Sequence, residues 1–367
     1  MKVLFVFGTR PEGIKMAPII KEIEKREDLE SYTCVTGQHR EMLDQVLEIF
    51  DIEPDYDLNI FKKGQSLTDV TTKTLLGLED ILDELKPDIL LVQGDTTTVF
   101  AAALAAFYKK IKIGHVEAGL RSGNLYSPYP EEANRKLTGV LSNYHFAPTE
   151  SNRQNLLREG YDDKNIFITG NTVIDALKYS VKEDFLFDDE ILNNLDYNKD
   201  VVLLTAHRRE NWGEPMENIF SAIRQVVLER ENIEIVFPIH LNPIVRNTAK
   251  KYFSDLDRVH LIEPLSYLPF SNLMAKVKFV VTDSGGVQEE APALGKPVLV
   301  LRNETERMEG VEAKTAKLVG TKSQDVYDSI ISLLDDKNLY EEMSKAVNPY
   351  GDGHAAKKIV DILEKMN

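Results

Sequence analysis

Short apolar runs rich in β-branched residues recur along the chain, separated by longer segments with helical spacing. Parallel strands need crossover connections, and helices usually supply them, so this alternation predicts an α/β fold with parallel sheets. In the first half, strands are read at Lys2–Phe7, Tyr32–Thr36, Asp88–Gln93, Lys112–Glu117, Tyr144–Ala147 and Ile166–Thr169. The segments between them read as helices, among them Leu67–Leu85, ended by Pro87, and the Ala-rich Thr96–Tyr108. An acidic, weakly patterned stretch, Asp184–Lys199, reads as an edge element and linker, and then the pattern restarts. The second set of strands is Val201–Thr205, Ile233–Pro238, Val259–Ile262, Phe279–Thr282, Pro297–Leu301 and Lys317–Val319. Two Rossmann-like domains are expected, residues 1–170 and 171–353, with ligands held in the cleft between them at the carboxyl ends of the strands.

Charge narrows the partners. The 367 residues carry 44 Lys+Arg against 60 Asp+Glu, a formal net charge of −16. Nucleic acid and anionic membranes attract basic surfaces, so neither is an expected partner. A small anion held by a local basic cluster is compatible with this balance. The single cysteine, Cys34, excludes an intrachain disulfide and reads as an inert buried thiol within a strand. No run of about 20 apolar residues is present to span a membrane. Met1-Lys2 leads into an apolar run, Val3 to Phe7, too short for a signal-peptide core, so a cytoplasmic protein is expected.

The chemistry-bearing residues fall just after strands. The first strand is followed by Gly8-Thr9-Arg10-Pro11-Glu12-Gly13-Ile14-Lys15. Gly8 permits a sharp turn into a helix whose N-terminus favours anions, and Arg10 and Lys15 add positive charge. The loop is neither a Walker motif nor GxGxxG, which disfavours an NAD site. Asp95 follows the strand ending at Gln93, where it would either cap the next helix or serve a site. Glu117 ends an otherwise apolar strand, where a carboxylate needs a reason, either pairing with Arg121 or chemistry. Glu131 follows Pro130 at a helix start, a position that carboxylates favour on electrostatic grounds alone. Asp95, Glu117 and Glu131 together suggest a carboxylate cluster able to divide acid and base roles.

The second half repeats the arrangement. His207-Arg208-Arg209 follows a strand and suits a phosphate-facing acid or donor. Ser284-Gly285-Gly286 enters a helix as an anion nest, with Glu290 one turn on and within reach of ribose hydroxyls. Arg307 lies in a loop after a later strand. A nucleotide sugar bridging the two halves is the hypothesis these residues support.

The same segments resemble the non-hydrolysing UDP-N-acetylglucosamine 2-epimerases along essentially the whole chain. The match runs through Phe7 to Glu12, Gln38 to Leu43, Gly94 to Thr98, His115 to Arg121, Pro130 to Glu132, His207 to Asn211, Asp283 to Gly286, Thr305 to Arg307 and Asn348 to Gly353. The resemblance implies a glycosyltransferase-B architecture, with a C-terminal helix at about 354–367 returning to the first domain. It implies that Arg10, Lys15, Asp95, Glu117 and His207 line the substrate site and that Glu131 is needed for catalysis. It implies that Ser284, Gly285 and Gly286 hold the diphosphate, Glu290 the ribose and Phe270 the uracil, with Arg307 also in the nucleotide site. Gln38 and His39 match the region where several bacterial members bind a second UDP-N-acetylglucosamine as activator. Some members have a Gln near the uracil where this chain has Leu265, and a second Gln and an Arg where it has Glu41 and Gly64.

Family members interconvert UDP-N-acetylglucosamine and UDP-N-acetylmannosamine, the latter for surface polysaccharides, and are usually homodimers. Carbon 2 of the sugar has no adjacent carbonyl to acidify its proton. The route the resemblance implies is elimination of UDP to 2-acetamidoglucal, followed by re-addition, with no metal or other cofactor. The run Pro130 to Arg135 places the chain apart from the family's hydrolysing branch. A UDP-sugar glycosyltransferase on the same fold and a non-catalytic nucleotide-sugar-binding regulator are the alternatives.

Overall fold

The structure is a computed structural model that describes residues 1–38 and 40–366. Among the described residues, thirteen strands form two wholly parallel sheets. The first contains β1 (Lys2–Phe7), β2 (Glu30–Val35), β3 (Tyr56–Asp57), β4 (Ile89–Gln93), β5 (Lys112–Val116), β6 (Tyr144–Ala147) and β7 (Ile166–Ile168). Their order is β3-β2-β1-β4-β5-β6-β7. The second contains β8 (Asp200–Thr205), β9 (Ile233–Pro238), β10 (Val259–Ile262), β11 (Phe279–Thr282), β12 (Val298–Val300) and β13 (Ala316–Leu318). Their order is β10-β9-β8-β11-β12-β13. Each order reverses beside the unit's first strand, the arrangement that creates a binding crevice at the carboxyl ends of doubly wound sheets.

The α/β reading therefore holds. Beyond it, β3 is a two-residue edge strand too short to leave a periodic signal, and Asp184–Lys199, read as an edge element and linker, contains a short helix, Glu190–Asn194.

The chain forms two compact units, Met1–Tyr179 with Tyr350–Asn367, and Ser180–Pro349. The first takes in most of the helix Thr172–Ser180, past the expected boundary at residue 170, because that helix holds the returning C-terminal segment. Asp175 accepts hydrogen bonds from the backbone N–H groups of Ala355 and Ala356 at 3.1 and 3.0 Å, capping the helix Ala355–Glu364. That helix also packs on Arg10–Ile23, and Arg26 pairs with Asp361 at 2.8 Å and Glu364 at 3.3 Å.

In the first unit Leu4, Val6, Leu90 and Val92 pack against the apolar faces of Leu67–Leu85 and Thr97–Tyr108. In the second, Val202, Leu204, Phe237 and Phe279 pack against Glu214–Glu229. Cys34 is fully buried, and burial pushes its thiol up to about 12, so it stays protonated and unreactive. Among the described residues, no helix is long and apolar enough to cross a membrane.

Candidate active site

The first unit gathers its site where β1, β4 and β5 end. Gly8 is required by close packing, since a Cβ there would lie 2.1 Å from the Thr36 hydroxyl. The chain then turns into Arg10–Ile23. Glu12, buried, accepts from the N–H groups of Gly8 and Thr9 at 2.9 and 2.7 Å and from the Thr96 hydroxyl at 2.5 Å. One carboxylate thus braces the Arg10 turn against the loop that carries Asp95. Burial raises the Glu12 carboxyl, and those hydrogen bonds partly offset the shift. Arg10 stands in the first turn of the helix, and among the described residues its guanidinium makes no ion pair.

Glu117 lies one residue past β5 rather than within it, in the left-handed backbone region at φ 62°. That conformation is costly for a non-glycine residue, and such strain concentrates at functional sites. It brings the carboxylate to Lys15, whose Nζ is 2.5 Å from Oε2. Gln93 also donates to Oε2, and Asn171 donates to Oε1 at 3.2 Å. Pairing of Glu117 with Arg121 is not what forms, because Arg121 binds Glu159 at 2.7 and 2.9 Å. His115 is buried and faces the Gly94 carbonyl at 2.7 Å. Burial, the largest influence, pushes it down to about 4, so it is neutral.

Asp95 does not cap the next helix. Thr96 is the cap, accepting from the Val99 N–H. Asp95 is bound instead by Arg135, whose Nε and Nη2 approach Oδ2 at 2.8 and 2.7 Å, and its carbonyl accepts from Asn134 at 2.9 Å. Glu132, fully buried, pairs with Arg135 at 3.2 Å and accepts from the N–H groups of Ser122 and Gly123. Glu131 opens this same helix, Glu131–Leu141, and its Oε2 is a buried carboxylate oxygen with no hydrogen-bond partner among the described residues. Gln93, Asn134, Arg135 and Glu132 did not stand out as site residues in the sequence. The signal available was the spacing Glu131, Asn134, Arg135, one face of a helix.

Gln38 accepts from the Thr98 hydroxyl at 2.8 Å, beside the Asp95 loop. His39 lies outside the described residues.

The second unit has its own constellation past β8 and β11. Asp283, fully buried, accepts at Oδ2 from the N–H groups of His207 and Arg208, both at 2.8 Å, and from Asn211 at 3.1 Å. The His207 ring stacks on that of His240 at 5.6 Å. Burial lowers the His207 pKa most, Asp283 opposes this, and His240 and Arg208 reinforce it.

The Ser284 N–H donates to the Thr282 hydroxyl at 2.9 Å. Gly285 and Gly286 supply the remaining N–H groups of the nest, followed by the helix Val287–Ala293. Arg307 reaches the nest because Gly285 has no side chain, since a Cβ there would lie 2.6 Å from Nη1. Glu289 and Glu306 orient that guanidinium at 2.6 and 2.5 Å. Glu290 lies near, with Oε1 3.4 Å from where a Cβ of Gly286 would be. Phe270 sits partly buried in the first turn of Tyr267–Lys276.

Two doubly wound parallel sheets, one with a Lys–carboxylate cluster and the other with a Gly-Gly nest served by Arg307, define an enzyme-like member of the glycosyltransferase-B class of folds. Residues 21–364 match the family model for UDP-N-acetylglucosamine 2-epimerase. The UDP-N-acetylglucosamine 2-epimerase of Bacillus subtilis is 56% identical over 363 residues, covering 99% of this chain and 95% of that protein. That of Escherichia coli K12 is 54% identical over 371 residues, covering 99% and 98%. The crystal structure of the Neisseria meningitidis UDP-GlcNAc 2-epimerase bound to UDP-GlcNAc superposes with a TM-score of 0.89 at 53% identity, covering 100% of both chains. The chain belongs to the UDP-N-acetylglucosamine 2-epimerase family.

Proposed function

We propose that this protein is the non-hydrolysing epimerase that interconverts UDP-N-acetylglucosamine and UDP-N-acetylmannosamine, supplying N-acetylmannosamine units for surface polysaccharide. The observation that carries the reading is Glu117, held in a strained backbone conformation with its carboxylate on Lys15 and close to the Asp95 loop. Such a cluster suits removing and returning a weakly acidic proton, provided one carboxylate is ionised and another protonated.

In this reading the Gly285–Gly286 nest, Arg307 and His207 bind the diphosphate, with Phe270 against the uracil and Glu290 on the ribose. As the bond from the anomeric carbon to the diphosphate breaks, negative charge grows on the leaving oxygens, and Arg10 and His207 stabilise it. A carboxylate among Asp95, Glu117 and Glu131 takes the proton from carbon 2, giving 2-acetamidoglucal and UDP. Proton return on the opposite face and re-addition of UDP complete the inversion. The run Pro130 to Arg135, by its resemblance to the non-hydrolysing members, supports that subtype, and its Asn134 and Arg135 hold Asp95.

The proposal extends to a cytoplasmic homodimer. Exposed Leu76, Phe107, Tyr108 and Val140, on three neighbouring helices of the first unit, support self-association. Activator binding near Gln38 and His39 is part of the same reading.

Incubation with UDP-N-acetylglucosamine in deuterated water, followed by proton NMR, tests it. UDP-N-acetylmannosamine carrying deuterium at carbon 2 is expected. Net release of UDP and free sugar would instead assign the hydrolysing reaction, and turnover only with an added acceptor would assign a transferase.

A further inference from the structure

Asp283 serves two purposes with its two oxygens. Oδ2 is saturated by the N–H groups of His207 and Arg208 and by Asn211. Oδ1 is buried without an aligned donor among the described residues, and the His207 Nδ1 lies 3.3 Å from it. A fully buried carboxylate oxygen lacking a partner is expensive. A small rotation of the imidazole satisfies it, provided that Nδ1 carries the proton. The other ring nitrogen, Nε2, then faces away from Asp283 on a side chain that is 39% exposed.

We propose that Asp283 is the positioning residue of His207, fixing the neutral ring as the Nδ1–H tautomer and supporting the imidazolium that faces the diphosphate. The assignment rests on the reading of His207 as a diphosphate-facing group. With Nδ1–H held by the carboxylate, Nε2 is unprotonated in the resting ring and takes a proton as negative charge approaches. The imidazolium Nε2–H then donates to a diphosphate oxygen, and on product release the proton returns to solvent. No covalent bond of the protein changes. The groups facing the ring are Asp283 from the end of β11, which favours the imidazolium, and His240 after β9 and Arg208 beside it, which oppose it. Asp283 keeps the ring chargeable despite burial and the opposing influence of His240 and Arg208.

The tautomer is read directly from nitrogen–proton correlations of the imidazole in the ligand-free protein, so the test does not depend on the epimerisation reading. The expected result is a neutral His207 with its proton on Nδ1. A proton on Nε2 overturns the proposal. In Asp283→Asn, the amide oxygen can keep the two backbone N–H bonds while its NH₂ turns toward Nδ1, forcing the Nε2–H tautomer. The expected consequences are that tautomer switch, a lower His207 pKa and a kcat loss of ~100-fold with KM changed far less. In a His207→Asn background the same substitution should cost little more. A kcat loss with unaltered His207 titration, or full additivity in the double variant, would show that Asp283 merely supports the backbone and would overturn the assignment. If Asp283→Asn does not fold, the wild-type tautomer alone decides.

Discussion

Arg135 places both Nε and Nη2 on one oxygen of Asp95, at 2.8 and 2.7 Å, while its Nη1 reaches the buried Glu132 at 3.2 Å. One guanidinium therefore orients a candidate catalytic carboxylate and neutralises a structural one. Arg135→Gln should cut epimerase turnover by ~100-fold through misplacement of Asp95. It should also cost about 3 kcal/mol of stability, the scale of leaving a buried carboxylate without its cation. Arg135→Lys should restore charge but not the two-point contact, recovering stability more than turnover. Urea denaturation and a coupled turnover assay on both variants read the two effects separately. Equal recovery of both by lysine would contradict the orienting role.

Asp95→Asn, Glu117→Gln and Glu131→Gln should each lower turnover by at least ~100-fold, the scale of a lost acid–base group. Lys15→Met should lower it too, and its effect should be much smaller in a Glu117→Gln background, because the two side chains form one pair at 2.5 Å. Near-normal activity in any carboxylate variant would remove that residue from the mechanism.

Gly285→Ala puts a methyl group 2.6 Å from Arg307 Nη1. The guanidinium is the far end of a flexible side chain, so the fold should survive while the nest loses its arginine. UDP affinity, measured by titration calorimetry, should fall at least ~10-fold, about 1.4 kcal/mol, with the melting temperature nearly unchanged. Unchanged affinity would separate Arg307 from the nucleotide site.

His115 and His145 are neutral in the fold, pushed down to about 4 and about 3, by burial above all. Both values lie below the ordinary histidine value of ~6.5. Between that pH and the folded values the unfolded chain binds protons the native state refuses, so these residues make stability fall as pH drops below ~6.5. Glu12 and Asp175, raised by burial, act in the opposite sense. Replacing one histidine isolates the effect. His145→Phe, whose ring would remain against Tyr161, should lose less stability than wild type between pH 7 and 5. A steeper loss in the variant would contradict the assignment.

Much of this was legible in the order of residues because strands of a parallel sheet buried on both faces are continuous apolar runs. The strand readings in both halves fall within a residue or two of the observed ones at β1, β4, β8, β9 and β11. What a linear pattern does not carry is who meets whom. Glu117 looked like the last strand residue with Arg121 as its natural partner, yet a left-handed turn delivers it to Lys15, 102 positions away. Ser284 looked like part of an anion nest, and the donation of its N–H to a threonine hydroxyl two residues earlier was not visible. The support given to Asp95 by Arg135 was equally hidden, since nothing in the spacing says that a helix will lie against that loop.

The return of the C-terminal segment to the first unit has a consequence for how the protein is made. The second unit, Ser180–Pro349, is complete as soon as its own residues have left the ribosome. The first unit lacks the helix Ala355–Glu364, and so these partners of Asp175 and Arg26, until that helix emerges, after the whole second unit. Synthesis therefore finishes the later unit before the earlier one. The unit bearing the candidate carboxylates assumes its final packing only once that helix has joined it.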